Sequence, residues 1–216
     1  FMKPDTDLLT GNAPFLYPDF STDIHHEVEL VVKICKEGKY IQEKFAHKYY
    51  EEIGLGIDFT ARDLQAECKS KGLPWEKAKA WDNSAVVGKW IPFANIKNRK
   101  AINFSLKKNK ELVQQGNSQD MIFDFDYIVS HISNFFSVNI GDLIFTGTPE
   151  GVGPVKIGDP SQRLLRRRDV VAHRREQDFR KRESRDRRGW RPLRASAPAR
   201  ARSHRARRPA GTSVGA

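Results

Sequence analysis

The hydrophobic pattern opens with a strand signal over residues 24–32. Polar and apolar side chains alternate from Glu27, and the run then continues with apolar residues. Alternation with a period of two, together with β-branched residues, is typical of a half-buried strand. A second apolar run over residues 53–59 contains Gly54 and Gly56, and small residues inside a strand indicate that another group packs closely there. Both stretches are predicted to be largely buried strands.

Helical and strand signals alternate along the following residues. Thr60 is predicted to cap a helix, with Asp63 three residues later as in a capping box, and Gly72 is predicted to end that helix. The helices are predicted over residues 45–52, 61–71 and 121–136, and further strands over 102–108, 111–114 and 143–146. Such a mixture of short strands and helices predicts an α+β fold.

The charge of the chain is distributed unevenly. The formal net charge is +11 over 216 residues, yet residues 160–216 alone hold 18 Arg and one Lys against five acidic residues. Residues 1–159 are therefore mildly acidic, and the basicity that suggests a nucleic-acid partner belongs to the second segment. A basic arm that binds nucleic acid is an alternative interpretation of this segment, but we do not expect nucleic acid to be a partner.

The composition also changes near residue 160, which predicts two regions. Residues 1–159 are rich in Lys, Ile and Asn, whereas residues 160–216 contain no Ile, Asn or Tyr. The first region is predicted to be the folded domain. The second is an Arg-rich, low-complexity tail that we expect to be disordered, or to be translated out of frame or through a fusion junction.

Two absences narrow the class of protein. No run approaches the roughly 20 apolar residues of a membrane-spanning helix, so no membrane association is expected. The two cysteines, Cys35 and Cys68, are too few for a disulfide scaffold and favour a reducing compartment. We therefore expect a cytoplasmic protein.

Glu27 and Glu29 are the first candidate functional residues. Side chains at i and i+2 leave the same face of a strand, so two carboxylates lie side by side among apolar neighbours and repel each other. A divalent cation would remove this repulsion, and an all-oxygen ligand set favours Mg²⁺, then Mn²⁺ or Ca²⁺. The spacing alone fits the polar face of an edge strand at least as well.

Other candidates are commonplace when taken one by one. Asp58 lies between a buried strand and a helix, where Asp serves equally as a third metal ligand or as a capping residue. His25 and His26 face opposite sides of their strand, so they cannot join one zinc site and are expected to be structural. The remaining candidates are Arg62 and Gln65 on one helix face, the Lys79 cation, and the Gly147-Thr148 turn with its hydroxyl and backbone donors.

Taken together, these residues resemble the fumarylacetoacetate hydrolase family. The matching segments run in family order: Phe1-Met2-Lys3-Pro4, residues 25–30 (HHEVEL), 56–65 (GIDFTARDLQ), 71–75 through 78–79, and 141–154 (GDLIFTGTPEGVGP). They look closest to the small members, which include acylpyruvate hydrolases, oxaloacetate decarboxylases and 2-hydroxyhepta-2,4-diene-1,7-dioate isomerases. The resemblance implies a mixed β-roll of the family's C-terminal-domain type over residues 1–159, and a homodimer.

The resemblance also implies a role for each candidate residue. Mg²⁺ or Mn²⁺ would be bound by Glu27, Glu29 and Asp58. Arg62 would contact these ligands rather than the metal and so orient them. The reacting oxygens would be polarised by Lys79, Gln65 and Thr148. The substrate would also be contacted by Thr148 and Lys3.

The implied reaction is hydrolysis of a C–C bond in an acylpyruvate-like or fumarylacetoacetate-like 2-oxo acid or dicarboxylate, with the metal stabilising an enolate. Isomerisation of the dienedioate and decarboxylation of oxaloacetate are alternatives in the same site. Hydrolysis also needs a general base, which small members carry as a His/Glu pair on an upstream lid. No residue here matches that pair, and the Arg-rich segment stands where the family has further strands. We therefore expect a chain truncated at both ends, with turnover impaired.

Overall fold

The structure is a computed structural model that describes residues 1–9 and 13–156, together with the strand Val170–Ala172. The chain divides into one unit of Phe1–Arg174 and another of Arg175–Ala216, and only the first contains described residues. Most of the predicted Arg-rich tail lies outside the described residues. The strand at 170–172 is the part of this tail that the structure describes. The boundary between the folded domain and the tail at residue 160 stays a prediction.

The described residues form three sheets with few helices. The strands are β1 (Leu8–Leu9), β2 (Ile24–His26), β3 (Val28–Ile34), β4 (Tyr50–Asp58), β5 (Thr60–Ala61), β6 (Ala85–Val87), β7 (Ile91–Pro92), β8 (Asn103–Lys108), β9 (Glu111–Asn117), β10 (Leu143–Phe145), β11 (Gly153–Pro154) and β12 (Val170–Ala172). The helices are α1 (Glu43–Ala46), α2 (Arg62–Lys71), α3 (Glu76–Lys79) and α4 (Phe125–Phe135).

The largest sheet runs in the order β1-β6-β4-β3-β10, with β7 also paired to β4. Its β1–β6 pair is parallel and its other pairs are antiparallel, so the sheet is mixed. Two smaller sheets, β11-β2-β5 and β12-β8-β9, complete the fold. This architecture confirms the predicted α+β class and the mixed β-roll. No helix among the described residues is both long and apolar enough to cross a bilayer.

Strands β3 and β4 form the buried centre of the largest sheet. Every residue of β3 except Lys33 is buried, because β4 and β10 flank it on either side. The interpretation of Glu29 as part of an exposed edge strand is therefore wrong. The register pairs Glu29 with Gly56, and the backbone N–H of Asp58 donates to the carbonyl oxygen of Glu27 at 2.9 Å. The antiparallel register thus brings the three acidic residues to one end of the two strands.

Gly56 permits the close packing that its place in the sequence predicts. A Cβ atom at this position would lie 2.6 Å from Cε1 of Phe145 and 2.7 Å from Cγ2 of Val31. Contacts this short do not occur between well-packed atoms, so a side chain here would push the neighbouring strands apart. The absence of a side chain keeps β4 in register with β3 beside the acidic residues.

The predicted helix over residues 45–52 is wrong beyond Ala46. Helix α1 ends at Ala46, and Tyr50 already begins β4. The Tyr50 ring packs edge-on against Phe93 and Phe125, and its hydroxyl donates to the Asp126 carboxylate at 2.8 Å. Tertiary packing of one aromatic residue therefore overrides the local helical signal.

The predicted cap of the second helix is also wrong. Thr60 lies in β5, opposite His25, and Ala61 occupies the capping position without a side-chain hydrogen bond. The Asp63 carboxylate instead accepts hydrogen bonds from the Ser21 hydroxyl at 2.7 Å and the Thr22 N–H at 3.0 Å. It ties the start of α2 to the segment before β2.

Helix α4 is shorter than its apolar pattern predicts. It begins at Phe125, because the Asp124 carboxylate accepts a hydrogen bond from the Tyr127 N–H at 2.8 Å and caps it there. Ile122, counted by the pattern on the apolar face, precedes the helix and is 89% exposed. The buried residues of the helix are Phe125 and Val129, both on the apolar face of the pattern, and Ser133.

Replacement of Asp63 by Asn should lower stability by about 1 kcal/mol at neutral pH, because an amide nitrogen cannot accept the Thr22 hydrogen bond. Partial burial raises the pKa of Asp63, but the hydrogen bonds from Ser21, Thr22 and Leu64 outweigh it and hold the pKa below its usual 3.8. A carboxyl group whose pKa is lower in the folded than in the unfolded protein stabilises the fold at pH values above its unfolded pKa. This stabilisation is lost as the pH falls through the folded pKa.

The stability difference between the Asp63→Asn variant and the parent should therefore shrink below about pH 4, measured by urea unfolding across pH. Glu67→Gln on the same helix is the control, since that carboxylate pairs only with the lysines Lys71 and Lys77 at the surface. If the stability difference between Asp63→Asn and the parent stayed constant from pH 7 to pH 3, the depressed pKa would be wrongly assigned to Asp63.

Candidate functional site

Three carboxylates converge at the end of the β3–β4 pair. Glu27 lies in the break between β2 and β3, Glu29 is in β3, and Asp58 is the last residue of β4. One carboxylate oxygen from each lies within 4.8 Å of the others, and the residues are only 7%, 5% and 2% exposed, respectively. The structure therefore brings together the three residues predicted as metal ligands.

A buried lysine lies among these carboxylates. Lys79, the last residue of α3, donates from Nζ to Glu27 Oε2 at 2.7 Å, to Asp58 Oδ2 at 2.6 Å and to Thr60 Oγ1 at 2.5 Å. All four side chains are buried, so each charge is neutralised by its neighbours rather than by water. Thr60 was predicted as a helix cap, but its hydroxyl is the third acceptor of this ammonium group.

Two further cations surround the cluster. Arg62 donates from Nη2 to Glu27 Oε1 at 2.5 Å and from Nη1 to Gln65 Oε1 at 2.6 Å, so these two α2 residues do share one face as predicted. Lys3 Nζ lies 3.1 Å from Asp58 Oδ1 and donates to Ser84 Oγ at 2.6 Å and to the carbonyl oxygen of Lys79. Burial lowers the pKa of Lys3, and the Asp58 carboxylate opposes this effect.

Glu29 is the least compensated carboxylate of the cluster. Its Oε2 atom accepts a hydrogen bond from the Gly147 N–H at 2.7 Å. Burial, followed by the negative charge of Asp58, raises its pKa to about 8, although the Gly147 N–H works in the opposite direction. The site therefore favours additional positive charge beside Glu29.

The donor set fits a hard divalent cation. Asp58 Oδ1 is buried and accepts no well-directed hydrogen bond, even though the Lys3 ammonium lies 3.1 Å away. An unsatisfied buried carboxylate oxygen is costly, and together with the poorly compensated Glu29 it offers the oxygen ligands that Mg²⁺ and Mn²⁺ prefer. Neither histidine of β2 contributes an atom to this group.

Thr148 follows β10 in the loop that approaches the acidic cluster. Its neighbour Gly147 adopts a φ of 101°, which favours glycine and turns the N–H toward Glu29. The Thr148 hydroxyl donates to the Val28 carbonyl oxygen at 2.9 Å and accepts from Gln114 Nε2 at 3.0 Å. The loop is therefore joined to the peptide that lies between Glu27 and Glu29.

Sequence reasoning missed two polar residues of the site. Ser84 is fully buried and binds Lys3, and Gln114 is 2% exposed and binds His26 Nδ1 at 2.9 Å. Gln114 lies in a hairpin strand beside a second glutamine, and nothing in that local pattern distinguishes it from its exposed neighbour Gln115. His25 Nε2 lies 3.0 Å from the Asp23 carboxylate, so one ring nitrogen of each histidine is bonded outside the cluster, while His25 Nδ1 is buried without a hydrogen-bond partner.

A buried cluster of carboxylates around a lysine at the end of a central strand pair is typical of the active site of an enzyme. The family model for the fumarylacetoacetate (FAA) hydrolase C-terminal domain matches residues 1–177. The chain therefore belongs to the fumarylacetoacetate hydrolase family of hydrolases and isomerases, which confirms the resemblance seen in the sequence.

Characterised relatives show the range of names within this family. The mitochondrial oxaloacetate tautomerase FAHD1 of Mus musculus is 44% identical over 159 residues, 74% of this chain and 72% of the relative. The mitochondrial oxaloacetate decarboxylase of Dictyostelium discoideum is 41% identical over 159 residues, 73% of each chain. Among solved structures, the fumarylpyruvate hydrolase of Pseudomonas aeruginosa, in complex with Mn²⁺ and pyruvate, is 35% identical with a TM-score of 0.69, covering 73% of this chain and 70% of that one.

Replacement of Lys79 by Met should destabilise the metal-free protein by about 3–5 kcal/mol, because it leaves Glu27 and Asp58 buried without their shared partner. Urea unfolding in the presence of a chelator measures the change. Lys77→Met on the same short helix is the matched control, since Lys77 pairs with Glu67 at the surface, and its effect should be far smaller. Equal losses in the two variants would show that the buried ion pairs do not hold this site together.

Proposed function

We propose that the protein catalyses the keto–enol tautomerisation of a small 2-oxo dicarboxylate of the oxaloacetate type, with Mg²⁺ or Mn²⁺ as cofactor. The observation that carries this proposal is the buried cluster of Glu27, Glu29 and Asp58 around the Lys79 ammonium. The names of the mouse and Dictyostelium relatives support the substrate class, and the Mn²⁺ in the Pseudomonas structure supports the metal.

Glu27, Glu29 and Asp58 would hold the cation through carboxylate oxygens. When bound, the cation supplies Lewis acidity, which lowers the cost of placing negative charge on the oxo oxygen of the substrate. Arg62 restrains Glu27 by its hydrogen bond at 2.5 Å and so keeps one ligand oriented. Gln65 accepts from the same guanidinium at 2.6 Å, which holds its amide beside the cluster.

Tautomerisation moves one proton between carbon and oxygen and shifts the double bond between C=O and C=C, and no bond of the carbon skeleton is cleaved. Lys79 directs its three N–H groups to Glu27, Asp58 and Thr60, so it would donate to an enolate oxygen formed there in exchange for one of these bonds. Lys3 places a second ammonium beside Asp58, where it can attract the substrate's carboxylate. We assign the loop of Gly147 and Thr148 to the binding of that carboxylate.

Hydrolysis of a C–C bond in an acylpyruvate is the second candidate, favoured by the name of the Pseudomonas relative. It uses the same enolate but also needs a general base that activates water. Among the described residues, neither histidine of β2 contributes an atom to the acidic group, where such a base would have to act. Tautomerisation and decarboxylation need no activated water, and so these residues fit them better.

The other partner predictions remain proposals. A homodimer is proposed on the resemblance, and no described contact bears on it. Nucleic-acid binding through residues 160–216 is the less favoured alternative, and almost all of that segment lies outside the described residues. The cytoplasmic location also stays a prediction, and the names of the mouse and Dictyostelium relatives include the word mitochondrial.

Mg²⁺ or Mn²⁺ should raise the melting temperature by about 5–10 °C at about 100 times its Kd. Glu29→Gln should abolish this gain, because it removes a ligand charge. It should also raise the melting temperature of the metal-free protein, since a neutral amide avoids the cost of burying this carboxylate, which together with the charge of Asp58 raises the pKa of Glu29 to about 8. Differential scanning fluorimetry with and without chelator measures both effects.

Glu51→Gln is the matched control, because Glu51 is an exposed carboxylate on β4, the strand that also carries Asp58. This variant should keep the full gain from the metal. The ligand assignment would be wrong if Glu29→Gln and the unmodified protein gained equally from Mg²⁺ and from Mn²⁺.

The reaction itself is tested with freshly dissolved enol-oxaloacetate, whose ultraviolet absorbance falls as the keto form appears. The protein with Mn²⁺ should accelerate this decay, and Lys79→Met should lower kcat/KM by about 100-fold or more, with Lys77→Met near the unmodified value. Release of pyruvate from acetylpyruvate, measured with a coupled lactate dehydrogenase, tests the hydrolase alternative. Pyruvate release without any change in the enol decay would overturn the tautomerase proposal in favour of hydrolysis.

A further inference from the structure

Gln114 is a buried amide that connects both sides of the site. It projects from β9, is 2% exposed, and carries neither charge nor any role in the chemistry proposed above. Its Oε1 atom accepts from the Val28 N–H at 3.0 Å, and its Nε2 atom donates to Thr148 Oγ1 at 3.0 Å and to the Pro149 carbonyl oxygen at 3.2 Å. One side chain therefore holds the strand of the acidic residues and the loop after β10 together.

The backbone fixes the orientation of this amide. A backbone N–H, that of Val28, requires the oxygen of the amide on one side, and a backbone carbonyl, that of Pro149, requires the nitrogen on the other. His26 Nδ1, 2.9 Å from Oε1, must then carry a hydrogen.

The hydrogen bonds close into a ring. Gln114 donates to the Thr148 hydroxyl, this hydroxyl donates to the Val28 carbonyl oxygen at 2.9 Å, and the Val28 N–H donates back to Gln114. Val28 is the residue between Glu27 and Glu29. The ring therefore couples the position of the Thr148 loop to the peptide that carries two of the three carboxylates.

The loop is also pressed tightly against β9. Gly151 adopts a φ of 93°, and a Cβ there would lie 2.5 Å from the carbonyl oxygen of Val113, the residue before Gln114. A Cβ on Gly116 would lie 3.0 Å from Cγ of Pro149. Two glycines thus allow the loop and the hairpin to approach closely enough for the amide of Gln114 to bridge them.

We propose that Gln114 is a positioning residue that keeps the Thr148 loop in register with Glu27 and Glu29, so that the carboxylate-binding loop and the acidic cluster stay at a fixed separation. The inference rests on the proposed function for the role of the loop in binding substrate. Gln114 is distant in sequence from both Val28 and Thr148. In this proposal it controls the binding of substrate rather than the chemical step.

Two variants separate the two halves of this bridge. Gln114→Glu keeps an acceptor for Val28 and His26 but cannot donate to Thr148 and Pro149, whereas Gln114→Met removes both functions at similar length. Gln115→Glu and Gln115→Met are matched controls, because Gln115 is the exposed neighbour on the same strand. All four variants are made in the full chain.

Amide hydrogen exchange tests positioning without any substrate or metal. In Gln114→Met, both the Val28 and the Gly147 amides should exchange about tenfold faster. In Gln114→Glu, the Val28 amide should stay protected while the Gly147 amide exchanges faster, because only the donor side is lost. Unchanged exchange at Gly147 in both variants would overturn the proposal, whatever the enzyme activity turns out to be.

Kinetics with oxaloacetate test the functional consequence. Gln114→Glu should raise KM about tenfold with kcat within about twofold. The effect should be several-fold smaller in a Thr148→Val background, where the ring is already broken and only the hydrogen bond to Pro149 is left to lose. A lowered kcat at unchanged KM, or effects that multiply in the double variant, would contradict action through Thr148. If the unmodified protein shows no turnover, the proposed function fails, and hydrogen exchange alone then decides the positioning role.

Discussion

The organising constraint of this molecule is the burial of three like charges at the end of one strand pair. The antiparallel register of β3 and β4 sets Glu27 opposite Asp58 and places Glu29 next to them. Buried carboxylates repel one another strongly, since little water is present to screen them. Neighbouring elements therefore have to supply positive charge, and α2, α3 and the N-terminal segment each contribute one cation: Arg62, Lys79 and Lys3.

The compensation is uneven, and this unevenness gives the site its chemistry. Glu27 and Asp58 share the Lys79 ammonium, whereas Glu29 has a backbone N–H and a pKa raised by burial to about 8. In this site a carboxylate oxygen of Glu29 lacks a cationic partner among the described residues, and the neighbouring Lys79 carries an ammonium group. Such a site favours two ligands. One is a hard cation, and the other is an anionic substrate whose charge develops on oxygen.

The sequence predicted those parts of the fold that depend on local pattern. The period-two run before Val32 and the glycine-containing run before Asp58 predicted β3 and β4, but no local signal contains their register, which is a long-range property. Thr60 has the pattern of a helix cap, yet the charge of Lys79 makes it an acceptor in the cluster. Gln114 was not predictable, because only the packing of the hairpin against the Thr148 loop buries it.

Family membership leaves the reaction open because hydrolases, decarboxylases and tautomerases of 2-oxo acids all pass through an enolate. The reactions differ in what else the site must supply, and for hydrolysis this is a base beside a water molecule. In the described part of the chain, Asp23 engages one histidine of β2 and the bridge through Gln114 engages the other. Each histidine has a second ring nitrogen, yet neither contributes an atom to the acidic group. A reaction that needs only proton transfer to and from the enolate is therefore the one we propose for these residues.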